Sequence, residues 1–426
     1  MRIQKVDAFL LSYPLPEPLQ LTYYGGQRTI FKRDSLLIRV ETDAGIVGYA
    51  PGQGSEKCLR AIRDHIGPFL TGHSLADPDA LRVQYLLHGG PQAAAHLKYY
   101  ATVEIALYDA LGKHRDLPIS ELLGGRVRDR IRLYGSGGMY MPPKDYAAEA
   151  KAISDLGFTA YKMRPGLGPD EDLEAVRRMR ETLGPDTDIM VDAHTWWRMG
   201  NRSYDMETVA RLAEQLAEYD IYWLEEPVTP DDHDALRQLK EWDIVPIASG
   251  EHELDDAGFQ DLVARQCVDF VQMDLLCQGG YPSARRLFSD LEQSKQRFAF
   301  HCWGTDLEVA AAAQLGICWP ESVVEWLEYP VHRYAGSVNI PARPGMYPFD
   351  LALEILKDRL TIENGDLIVS AKPGLGVDVD ESVIERYPWI PGPWSEFTLE
   401  DPPGTFAVTA DHAKKWDNSA SECQEN

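Results

Sequence analysis

"IMVDAHTWW", residues 189–197, decides how the rest of the chain is read. Ile189, Met190 and Val191 make an apolar run suited to a buried strand. The run stops on Asp192 and His194, with Trp196 and Trp197 behind them. A buried strand has no structural use for a carboxylate and an imidazole at its end, because burying polar groups costs free energy. Either the strand has reached water or these groups are aimed at something.

The same pattern recurs on both sides. "IRLYGSGG", "AYKMR", "DIMVDAH", "IYWLEEP", "VPIASGE", "DFVQMDLL", "FAFHCW" and "SVVEWLE" each read as a short strand. Between them lie amphipathic helical segments such as "PKDYAAEAKAISDLG", "EDLEAVRRMRETLG" and "METVARLAEQLAEY". Eight strands separated by helical crossovers predict a parallel (β/α) barrel. An open doubly wound sheet is the alternative, but "GSGG" after "IRLY" lacks the spacing of its glycine fingerprint.

In such a barrel, functional groups collect at the C-terminal strand ends. Those ends carry Lys162 and Arg164, Asp192 and His194, Glu225 and Glu226, Glu251, Asp274, His301 and Glu328. From Asp192 through Glu225, Glu251 and Asp274 to His301 the steps are 33, 26, 23 and 27 residues, each about one βα unit. Polar groups therefore recur in phase with the fold. Solvated strand ends would explain any one of them, but not acids on three successive ends.

Asp192, Glu225 and Glu251 would repel one another unless a cation lay between them. Oxygen ligands select a hard ion, Mg2+ first and Mn2+ as the alternative. Zinc is disfavoured because no cysteine joins the set. Asp274 and His301 fall on adjacent strands, where the acid can hold the imidazole in one tautomer, so His301 is a general acid/base candidate. Lys162 and Arg164 share one face of their strand. Arg164 stays charged and suits a carboxylate or an enolate oxygen. Lys162 can do the same, or act as a base if Arg164 lowers its pKa.

Upstream, "RIQKVDAFLLSYPL" and "DSLLIRVETDAGIVGYA" are strand-rich and precede helical stretches, predicting an α+β domain over 1–128. The barrel is expected over 129–340. A C-terminal segment over 341–426 contains two short strands turning at Asn364–Gly365. It is expected to pack back on the first domain and to end in a weakly ordered tail.

The composition fits this picture. The chain has 426 residues, 44% hydrophobic and 26% charged, with a net charge of −25. Such an acidic chain disfavours nucleic acid or an anionic membrane as partner and is compatible with cations. Six scattered cysteines without a CxxC pair point to a reduced, cytoplasmic setting. Neither a secretory h-region nor a membrane-spanning apolar stretch is evident.

Taken together, these motifs resemble the enolase superfamily, in its mandelate racemase-like branch. The matching pieces are "ALYDALGKHRDLPISELLGG", Lys162-Met163-Arg164, "VDAH", "WLEEP", "SGEHE", Asp274 with His301, "EWLEY" and "KPGLGVDVD". The resemblance implies an α+β capping domain over a modified (β/α)7β TIM-type barrel, and Mg2+ held by Asp192, Glu225 and Glu251. It implies abstraction of a proton α to a carboxylate by His301 supported by Asp274, with Glu328 hydrogen-bonding the enediolate oxygen. Arg164 replaces the second lysine that racemases of the branch use as the opposite-face base. Asp192-x-His194 resembles the branch's acid-sugar dehydratases, with His194 protonating the departing hydroxyl.

The resulting expectation is a dehydratase of an aldonate or aldarate, giving a 2-keto-3-deoxy acid. An epimerase, racemase or cycloisomerase on a related carboxylate is the alternative, and a non-catalytic binding barrel is disfavoured by the acid set. "LTYYGGQRTIFKRD" is expected to be a capping loop that brings Tyr24 and Arg28 to the substrate, with Trp303 beside them. The partner is a small carboxylate, and a homo-oligomer is expected.

Overall fold

The computed structural model describes residues 1–193, 204–331 and 349–399. Three antiparallel strands open the chain: β1 (Ile3–Tyr23), β2 (Gly26–Thr42) and β3 (Val47–Gly52). The stretch expected as a loop is instead the tip of a β1–β2 hairpin, with Tyr23 paired to Gly26. Pro14, Pro16 and Pro18 do not end β1, for two physical reasons. β1 pairs only with β2 and so is an edge, where a missing N–H is tolerated. The register also shifts between Pro14 and Leu19, which absorbs the irregularity.

The alternating segments form β4 (Arg130–Met139), β5 (Ala160–Arg164), β6 (Asp188–Asp192) and β7 (Ile221–Glu225). They continue as β8 (Ile247–Ser249), β9 (Phe270–Asp274), β10 (Arg297–His301) and β11 (Val324–Pro330). Neighbours pair in parallel, and β11 returns to pair with β4, so the sheet closes. This is the parallel eight-stranded barrel, with an antiparallel sheet domain before it.

Each barrel strand contributes one side chain to a closed floor. Tyr134, Ala160, Met190, Trp223, Ala248, Phe270, Ala299 and Trp326 form this cluster, every one fully buried. Large and small residues interleave, and Trp223 meets Phe270 at 5.0 Å and Tyr134 edge-on at 5.4 Å. Strand side chains alternate faces, so the residue two positions on points inward one layer higher. That second layer is Ser136, Lys162, Asp192, Glu225, Gln272, His301 and Glu328. The period of the strand therefore stacks a charged layer directly on an aromatic one.

The C-terminal segment divides between the two units. β12 (Ile362–Glu363) and β13 (Asp366–Ile368) form the hairpin at Asn364–Gly365, and β13 pairs with β4 of the barrel. β14 (Ser395–Leu399) instead joins β2 of the first domain, Phe397 opposite Arg28. Among the described residues no helix is long and apolar enough to cross a membrane. The expected weakly ordered tail lies outside the described residues.

Candidate active site

The charged layer brings most of the expected residues together. Lys162 is fully buried and its ammonium lies 2.8 Å from Glu225, 3.2 Å from Glu328 and 3.3 Å from Asp192. Arg164, two residues on, reaches Asp192 at 3.2 Å and Glu328 at 3.0 Å. It also donates to Ser136 Oγ at 2.8 Å and stacks over the Trp303 ring at 3.6 Å. Trp223 of the floor donates its indole N–H to Glu225 at 2.9 Å, tying the two layers together.

Glu251 is delivered by a turn that needs glycine. Gly250 sits at φ +130°, and a Cβ there would meet the Gln272 carbonyl oxygen at 2.4 Å. His301 completes the set. Its Nδ1 is 3.0 Å from Asp274, while Nε2 faces Glu251 at 3.3 Å and Glu328 at 3.8 Å. Asp274 is itself held by the backbone N–H groups of Leu276 and Cys277.

The electrostatics bear on Lys162. Burial and Arg164 act to lower its pKa, but Glu225, Glu328 and Asp192 outweigh them and hold it above its ordinary value. Two of these three acids belong to the expected metal set. Burial also disfavours charged His301, yet Glu251, Glu328 and the Asp274 hydrogen bond raise it to about 10. Burial alone would raise Glu328, but Lys162, His301 and Arg164 pull it down to about 2, so it is ionised. Burial and Asp192 push Glu225 well above the usual carboxylate range, against Lys162.

Two acid sets could hold a metal, and they share Glu251. Ligand atoms of Glu226, Glu251 and His252 lie within 4.8 Å of one another. In that trio His252 Nδ1 is already bonded to Glu226 at 2.6 Å, and the imidazole makes the donor set softer. Asp192, Glu225 and Glu251 offer oxygens only. Asp192 and Glu225 both reach the Lys162 ammonium, and Glu251 Oε2 is shut from solvent and faces only His301 Nε2, at 3.3 Å, among the described residues. The all-oxygen set therefore fits a hard divalent cation.

The remaining expected residues fall in different places. Arg28 and Trp303 line the cavity above His301, together with Arg33, Glu308, Trp394 and Phe397. Tyr24 is not among its lining residues; it meets Tyr204 at 6.4 Å and donates its N–H to Gly166. His194 lies outside the described residues. Sequence reasoning passed over Arg33, Glu308 and Trp394. Glu308 had a faint signal, an acid seven residues after His301 in the first turn of helix Asp306–Gly316, and it is buried.

Comparison with known proteins identifies the family and agrees with the fold. Residues 6–124 match the family model "Mandelate racemase / muconate lactonizing enzyme, N-terminal domain", and residues 145–383 match "Enolase C-terminal domain-like". The chain is 28% identical to D-galactarolactone cycloisomerase of Agrobacterium fabrum, over 94% of this chain and 100% of that one. It is 29% identical to D-xylonate dehydratase of Haloferax volcanii, over 83% and 85% of the two chains. A crystal structure of an enolase superfamily member from Polaromonas superposes with a TM-score of 0.78 at 29% identity, covering 92% of this chain and 99% of that one.

Proposed function

Because the chain belongs to the enolase superfamily, in its mandelate racemase / muconate lactonizing enzyme branch, we propose that it is an Mg2+-dependent acid-sugar dehydratase. Its reaction would remove the proton α to the substrate carboxylate and eliminate the β-hydroxyl as water. The observation that carries this reading is the oriented imidazole facing a permanent cation. His301 is held by Asp274, while Arg164, paired with Asp192 and Glu328 at the same centre, cannot serve as a second base.

A Mg2+ bound by Asp192, Glu225 and Glu251 would polarise the substrate carboxylate and offset their mutual repulsion. His301, held at Nδ1 by Asp274, would accept the α-proton at Nε2, the nitrogen that faces this centre. The protonated imidazole can then pass that proton to a hydroxyl leaving from the same face. Arg164 stays charged, so it would orient the acid group and take up negative charge rather than move a proton. The hydroxyl-protonating role of His194 remains part of the proposal and is separable by experiment.

A two-base racemase is the weaker reading, since Arg164 stands where a second base would be needed. Cycloisomerisation stays in view because one relative of nearly full coverage is a cycloisomerase. The test is to incubate the purified protein with Mg2+ and a library of acid sugars in D2O. Release of a 2-keto acid carrying solvent deuterium supports dehydration. Inversion at the α-carbon, or ring opening of a lactone without keto-acid release, would replace it with the isomerase reading.

A further inference from the structure

The cavity above His301 is closed from above by the first domain and β14 and from below by the barrel strand ends. One acid in its wall has no part in the reaction outlined above. Glu308 stands in the first turn of helix Asp306–Gly316, which follows the strand that carries His301. It lines the cavity beside His301, Asp274, Trp303 and Gly304, yet it is only 5% exposed.

The seat of this carboxyl is built into the strand-to-helix turn. Gly304 leaves room for it, since a Cβ at that position would overlap Glu308 Oε2. The Cys302 thiol hydrogen-bonds it, and Cys302 is itself fully buried, with its N–H on Glu328 at 3.0 Å. The start of a helix favours an ionised acid. Burial, helped by the charge of Asp274, acts the other way and holds the Glu308 pKa well above the usual carboxylate range, against His301 and the thiol. The ring nitrogens of His301 face Asp274, Glu251 and Glu328 instead.

A neutral carboxyl donates through its O–H and accepts through its C=O, so it matches a hydroxyl group, which also does both. With the charge of Asp274 alongside, the same wall disfavours a carboxylate. Because the helix begins beyond the strand end, Glu308 faces the substrate's chain rather than the carbons that react at His301. We propose that Glu308 determines specificity by holding one hydroxyl of the substrate's polyol chain, beyond the two reacting carbons, in a two-way hydrogen bond. The substrate's acid group stays with Arg164. This rests on the acid-sugar reading above and deepens it: the preferred substrate carries a hydroxyl at one defined position, and analogues without it leave a buried polar group unpaired.

The test uses the Mg2+-loaded enzyme with stereoisomeric hexonates and hexarates, and with analogues lacking the hydroxyl at C4, at C5 or, in hexonates, at C6. For the wild type, loss of one of these hydroxyls should lower kcat/KM at least roughly tenfold, and loss of the others less. Glu308→Leu should bring the parent acid down to the level of that analogue and leave the analogue unchanged. Glu308→Gln, whose amide also donates and accepts, should keep most of the preference. A wild type that uses every deoxy analogue as well as its parent overturns the inference without any variant. So does a Glu308→Leu enzyme, folded by circular dichroism, that lowers parent and analogues alike. A Glu308→Gln enzyme as impaired as Glu308→Leu on every substrate makes Glu308 a proton donor and overturns it too. If no acid sugar is turned over, the dehydratase reading fails, and calorimetry with the same compounds and Mg2+ decides this one. Tighter binding of a parent than of one deoxy analogue, lost in Glu308→Leu, sustains the hydroxyl site, and equal binding or none refutes it.

Discussion

The floor and the mouth of the barrel are built by the same strands two residues apart, yet they obey opposite rules. At the floor, Trp223, Trp326, Phe270 and Tyr134 fill space and are fully buried. At the mouth, Asp192, Glu225 and Glu328 are buried to the same degree but are ionisable acids. Apolar packing stabilises in proportion to area removed from water, whereas a buried ion pair recovers little more than its desolvation cost. The contrast teaches that burial at the mouth serves electrostatics: charges out of water act strongly on whatever enters.

If this division holds, changes at the mouth should cost activity and changes at the floor should cost stability. The largest effect is expected for Glu225→Gln. Turnover should fall by more than the roughly thousandfold loss of a single charge-stabilising donor. Calorimetric Mg2+ binding should weaken while the circular dichroism spectrum is kept, and wild-type Mg2+ affinity would remove Glu225 from the metal set.

His301→Asn comes next, with a loss of about a hundredfold to ten-thousandfold in turnover and in α-proton exchange with D2O. Mg2+ affinity should survive, and near-normal exchange would return Lys162 to consideration as the base. Trp326→Ala, at the floor, should instead lower stability by about 3–5 kcal/mol through cavity formation. Denaturant melts measure this, and a loss of activity without loss of stability would erase the contrast.

Trp223→Phe sharpens the comparison, because Trp223 belongs to the floor but donates to Glu225 above it. About 1–2 kcal/mol of stability should be lost together with a drop in kcat, as one hydrogen bond to a buried carboxylate disappears. An unchanged kcat would mean the layers act independently.

The smallest effect lies outside both layers, at His233. Burial lowers its pKa, but hydrogen bonds to Glu253 and Asp261 raise it to about 9. A histidine whose folded pKa is raised stabilises the protein fully below its unfolded value of about 6.5. That contribution fades as pH climbs through about 9. The Tm gap between wild type and His233→Gln should therefore be present at acidic pH and close under alkaline conditions. A gap independent of pH would count against the charged pair.

The barrel and its mouth are legible in the sequence because one rule generates both. An apolar residue, any residue, then a charged one, as in Trp223-Leu224-Glu225 or Met190-Val191-Asp192, encodes floor and mouth in a single strand. The cap is less legible. That β1 runs on through its prolines depends on edge position and a register shift, which are tertiary facts. Arg33 and Trp394 are 361 positions apart and acquire meaning only when β14 lies on β2. The surroundings of Lys162 are not legible from its neighbour Arg164, since its three carboxylate partners come from three other strands.

The pairing of Arg28 with Phe397 on neighbouring strands also sets a schedule for biosynthesis. At about 5–20 residues per second, a ribosome that has made Arg28 needs roughly 20 to 70 s to deliver Phe397. During that interval β2 offers an unpaired strand edge and its arginines lack the rings that later flank them. The nascent chain can close most of its barrel before its pocket has an upper wall. Premature termination would thus release a chain that folds in large part but whose pocket lacks this wall, with the β2 edge left exposed.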